Sequence, residues 1–94
     1  MEFEWSPVKA RSNLQKHNVS FDEARSVFAD PLAMTILDAA EHEEERFITV
    51  GTSVFLRLIV VVHCEIGGRI RIISARRATR RERNQYEEGE EAKS

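Results

Sequence analysis

Between Arg57 and Arg83 the chain carries eight arginines and no lysine, opposed only by Glu65 and Glu82. Arginine grips an oxyanion through two parallel N–H donors, so a block of this density suits phosphate. Strand-like alternation over 69–75 puts Arg69 and Arg71 on one face and Ile70 and Ile72 on the other, the arginine face being the open one. Arg76, Arg77, Arg80 and Arg81 follow at the entry to a helix, where free backbone N–H groups already favour an anion. Arginines in a first helical turn oppose the helix macrodipole by about 0.3–1 kcal/mol each, and an anion bound at residues 76–81 removes that conflict. Solvated surface charge, or pairing with the acidic run at 41–45 or with a partner protein, is the competing explanation.

Groups able to move protons stand outside this block. His17 closes a helix beside Lys16, and histidine is the side chain suited to general acid–base work near neutral pH. The spacing of Ala10, Asn13, Leu14 and His17 on one helical face equally fits a half-buried structural histidine. Lys16 is either a charge partner for phosphate, a base if neighbouring arginines lower its pKa, or a solvent-facing lysine. Tyr86 could donate a proton, stack on a base or dock its helix. Arg46, leading a strand, is a substrate contact or a salt-bridge partner. His63 shares a strand face with Ile59 and Val61, which points to sheet packing, and Ser74 lacks the surroundings of a nucleophile. No cofactor or metal is expected, because His42 lacks an HExxH setting and His63 and Cys64 point to opposite faces of a strand.

The elements that must position these groups are legible in outline. Phe3-Glu4-Trp5 alternates as a short strand, and Ser6-Pro7 then supplies an N-cap and a first-turn proline for a helix that Asn18 ends. Ser20-Phe21-Asp22-Glu23 is a capping box opening a second short helix, stopped at Asp30-Pro31. Strands are predicted at 33–37, 47–51, 56–64 and 69–75, the last two joined by a Gly67-Gly68 hairpin. Thr79-Arg80-Arg81-Glu82 is a second capping box, opening a nearly all-polar helix that is loosely docked or completed by a partner. The class is α+β, with two N-terminal helices, a four- or five-stranded antiparallel sheet and a C-terminal helix.

With 94 residues, the chain is expected to form one domain over 1–94, residues 87–94 being a frayed acidic tail. The net charge of −2 argues against a general polyanion binder, but it divides into −5 over 1–56, +6 over 57–83 and −3 over 84–94. Met1–Trp5 lacks the features of a signal peptide, and the longest apolar run, 58–62, is far short of the roughly 20 residues of a membrane span. A single cysteine, Cys64, suits a reducing cytosol, so a cytoplasmic protein with no membrane contact is expected.

Several of these segments together resemble the BrnT toxins. They are Phe3-Glu4-Trp5, Lys16-His17 followed by Val19-Ser20-Phe21, Glu45-Arg46, and Arg71-Ile72-Ile73-Ser74-Ala75-Arg76 with Glu82 and Tyr86 downstream. The resemblance spans residues 3–86. It departs at Ser6, where the family usually has Asp, and at Asn18, where it has Gly, both cap-compatible exchanges. What it implies is a RelE-like ribonuclease toxin of a type II toxin–antitoxin pair. Its partner would be a BrnA-type antitoxin, with operator DNA reached only through that antitoxin. Metal-free RNA cleavage by the 2′-hydroxyl needs a base, an acid and cations on the phosphate. Lys16, His17, Arg71, Arg76 and Tyr86 are the catalytic candidates, and Arg46, Arg69, Arg77, Arg80 and Arg81 the phosphate contacts. A non-catalytic RNA- or protein-binding module, or an inactive toxin serving as co-repressor, would use the same arginine surface.

Overall fold

The computed structural model describes residues 1–40 and 43–93, the side chains of 90–93 excepted. In chain order the elements are β1 (Glu2–Glu4), α1 (Pro7–His17), α2 (Phe21–Ser26), a 3-10 turn (Val27–Ala29), β2 (Met34–Leu37), β3 (Phe47–Thr52), β4 (Leu58–Ile66), β5 (Arg69–Arg77) and α3 (Arg80–Lys93). The strands form one sheet in the order β1-β5-β4-β3-β2.

Local chemistry sets the helix ends where the sequence puts them. Ser6 Oγ accepts from the Lys9 N–H at 3.4 Å, and Asn18 closes α1 in the left-handed region at φ 55°. Ser20 Oγ accepts from the Glu23 N–H at 3.0 Å, but the Glu23 carboxylate does not complete a capping box. It is buried instead against Arg57 and against the Ser53 hydroxyl, which donates at 2.7 Å. At α3 both halves of the box form: Thr79 N–H donates to Glu82 Oε1 at 2.8 Å and Glu82 N–H to Thr79 Oγ1 at 3.2 Å.

The sheet is mixed rather than wholly antiparallel, because β1 runs parallel to β5, pairing Glu2, Phe3 and Glu4 with Arg69, Ile70 and Arg71. Both N-terminal helices and the strands β2 to β4 separate these two strands in the chain, so no turn dictates their direction, and this register turns Phe3 toward the core beside Ile70. Between β4 and β5 the register slips at Val62/His63, so that Ile72 and Ser74 are paired while Ile73 is the extra residue.

One sheet face carries the main core, where Val19, Phe21, Ala24 and Val27 meet Ile59, Val61, Ile70, Ile72 and Ala75. Because paired residues share a face, Arg69, Arg71, Ser74 and Arg76 fall on the opposite side. There α3 docks through Tyr86, which is buried and donates from its hydroxyl to Asp30 Oδ2 at 2.6 Å. Gly89 lets the helix approach β2, since a Cβ there would stand 2.9 Å from Met34 Sδ.

Candidate active site

A cleft of about 250 Å³ lies between α1 and the outer edge of β5, lined among others by Lys9, Ser12, Lys16, His17 and Ser74. Lys9, Ser12, Asn13 and Lys16 recur at helical spacing and therefore share the α1 face turned to β5. Asn13 makes that docking specific. Its amide donates to Ala75 O at 2.8 Å and Val19 O at 3.0 Å, while its Oδ1 accepts from the Ala75 N–H at 3.0 Å. With 5% of its surface exposed, Asn13 ties the helix to the strand just beyond the bulge. Lys16 and His17 are exposed one turn further on. Of the face expected from Ala10, Asn13, Leu14 and His17, Asn13 is buried and Ala10 packs against the core, whereas Leu14, 48% exposed, and His17 face solvent. A polar Asn in a helix interior signals nothing by itself; its strand partner comes from 62 residues away.

The arginine face of β5 is open, as the alternation indicates, but its cations are paired. Arg69 Nε lies 3.1 Å from Glu4 Oε1, and Arg71 gives Nε and Nη2 to Glu4 Oε2 at 3.0 and 2.8 Å. Glu4 comes from β1, whose parallel pairing with β5 no local sequence pattern indicates. Buried Cys64, paired across from Arg71, has its thiol pushed up by burial, helped by the charge of Glu44. Arg46 is also near that thiol, and its Nε is buried without a hydrogen-bond partner among the described residues.

Beyond Ala75 the remaining arginines form a separate group. Arg76 binds Glu82 with both terminal nitrogens at 2.8 Å, which pulls the Glu82 carboxyl down to about 2, Thr79 assisting. Glu82 thus brings one carboxylate to the start of α3, where it meets Arg76 and the Thr79 N–H. Arg77, Arg80 and Arg81 are exposed nearby. Tyr86 is committed to Asp30 and approaches Thr52 Oγ1 at 3.3 Å, so the structure places it in helix docking and not in the α1–β5 cleft.

His63 is buried between Phe28 and Phe47, with Nε2 2.8 Å from Thr49 Oγ1, in agreement with sheet packing. Among the described residues no group of three His, Cys, Asp or Glu side chains is placed to hold a metal ion. His42 lies outside the described residues.

The chain is thus a small α+β domain with an exposed histidine and lysines in a cleft beside an arginine-bearing strand. A family model described as the ribonuclease toxin BrnT of type II toxin–antitoxin systems matches residues 5–82. The chain belongs to that family. It is also similar to the 1.1 Å crystal structure of the Brucella abortus ribonuclease toxin BrnT, with TM-score 0.63 and 20% identity over 85% of this chain and 99% of that one, a likeness of fold. A comparison with curated proteins found no match. No helix among the described residues is long and apolar enough to cross a membrane.

Proposed function

We propose that the α1–β5 cleft is the catalytic centre of a metal-independent endoribonuclease that cleaves RNA by 2′-hydroxyl transesterification and so inhibits translation. The observation that carries this reading is the convergence of His17, Lys16 and Lys9 in one cleft, exposed to solvent. The reaction takes a proton from the 2′-oxygen, forms a bond from that oxygen to phosphorus, and breaks the bond to the 5′-oxygen, which takes up a proton. His17 and Lys16 are the pair placed to move those two protons, and Lys9 and Lys16 offset charge gathering on the phosphate oxygens. Arg71, whose guanidinium Glu4 holds in place, extends the cationic surface along β5. Arg46, Arg69, Arg77, Arg80 and Arg81 act at longer range on the RNA backbone. Arg76 and Tyr86 support the fold that carries the site.

In this reading the protein works in the cytoplasm, where a BrnA-type antitoxin covers the cleft or its approaches and links the toxin to operator DNA. Incubation of the purified protein with RNA in EDTA tests the chemistry. Fragments ending in a 2′,3′-cyclic phosphate or a 3′-phosphate are expected, and intact RNA across pH 6–9 would overturn it.

A further inference from the structure

The cleft has a neighbour. β1 accompanies β5 only as far as the Glu4–Arg71 pair, and beyond it a cavity of about 350 Å³ opens, lined by Trp5, Ser6, Lys9 and Arg71 among others. Lys9 and Ile73 line both this cavity and the cleft of Lys16 and His17, so the two are adjoining compartments of one groove along the β5 edge. Its volume is at the lower end of the range of about 300–1,000 Å³ typical of small-molecule sites.

Its chemistry is that of a nucleotide site. Trp5 is half-buried and steadied by an edge contact with the Phe21 ring at a centroid distance of 6.0 Å, which leaves little rotamer freedom to lose on binding. Arg71 brings a planar cation whose orientation is fixed by two hydrogen bonds to Glu4. Lys9 is exposed at the boundary with the catalytic cleft, where a phosphate shared by two nucleotides would lie. Single-stranded RNA is held in this way, its bases against aromatic rings or guanidinium planes and its backbone on cations.

We infer that this cavity holds the nucleotide adjoining the scissile phosphate, its base against Trp5 and Arg71 and its phosphate on Lys9. The inference rests on the cleft being the site of cleavage, and the two can fail separately. Trp5 is the only tryptophan of the chain, so its emission reports on the cavity directly. The probe is a short RNA whose attacking 2′-hydroxyl is replaced by hydrogen. Saturable quenching of Trp5 emission is expected, with Lys9→Ala and Arg71→Ala each weakening the probe about tenfold. His17→Ala should abolish cleavage of ordinary RNA and leave the quenching in place. Absence of quenching in a protein that cleaves RNA, or quenching of Lys9→Ala and Arg71→Ala with the same affinity as the unaltered protein, overturns the inference. Quenching that both variants weaken, in a protein that does not cleave RNA, overturns the ribonuclease reading and upholds the nucleotide site.

Discussion

The imidazole of His63 is 4% exposed, and burial pushes its pKa down to about 4 from 6.5. The folded state therefore resists a proton that the unfolded chain accepts, and stability falls as pH drops through the window from 6.5 to about 4. The full loss amounts to about 3 kcal/mol at the lower end. His63→Gln should flatten that limb of the stability–pH curve, measured by urea unfolding at each pH. Glu82 acts in a lower window. Its contribution is complete above 4.5 and disappears toward about 2. Asn13 is the counterpart among neutral groups: Asn13→Ala leaves the buried Ala75 N–H without its acceptor and should cost about 2–3 kcal/mol by chemical denaturation. Strand alternation exposed the packing role of His63 in advance, whereas Asn13 draws its role from a strand far along the chain, which no local pattern announces.

At the scale of elements, the caps and the alternation of β5 were readable because both are settled within four or five residues. Ser6, Asn18, Ser20 and the Thr79/Glu82 box stand where those local rules require. What escaped was set by distant segments: the parallel docking of β1, the transfer of Glu23 to Arg57, and the slip at Ile73 that keeps Arg76 on the face of Arg69 and Arg71. The polar α3 shows the same division. Its start is fixed locally, but Tyr86 and Gly89 anchor it through Asp30 and Met34. Thr79→Ala should cost about 1 kcal/mol through loss of the cap, read as a lower thermal midpoint. That variant should leave RNA cleavage intact, because α3 docks apart from the α1–β5 cleft.

For the whole molecule, charge distribution matters more than its sum. A net charge of −2 weakens long-range attraction to nucleic acid, while Lys9, Lys16 and Arg71 give a short-range track along one sheet edge. Two phosphate contacts on single-stranded RNA, from Lys9 and Lys16, imply a slope of about −1.4 for the logarithm of the binding constant against the logarithm of salt concentration, steeper by about 0.7 for each outlying arginine that also meets the backbone. The candidate site was only half legible for this reason: the sequence displays the arginine block plainly, but most of its sheet-face cations are met by Glu4 and Glu82, and the exposed histidine and lysines come from a helix whose orientation the core decides. The most direct measurement of the central claim compares single-turnover RNA cleavage by His17→Ala with that by the double charge reversal Arg80→Glu, Arg81→Glu. If the α1–β5 cleft is the catalytic centre, His17→Ala lowers the rate by about 10²–10⁴-fold, while the reversal weakens RNA binding and retains the rate at saturation. Full cleavage by His17→Ala, with the saturated rate lost on charge reversal, would place the chemistry at the start of α3 and contradict the account.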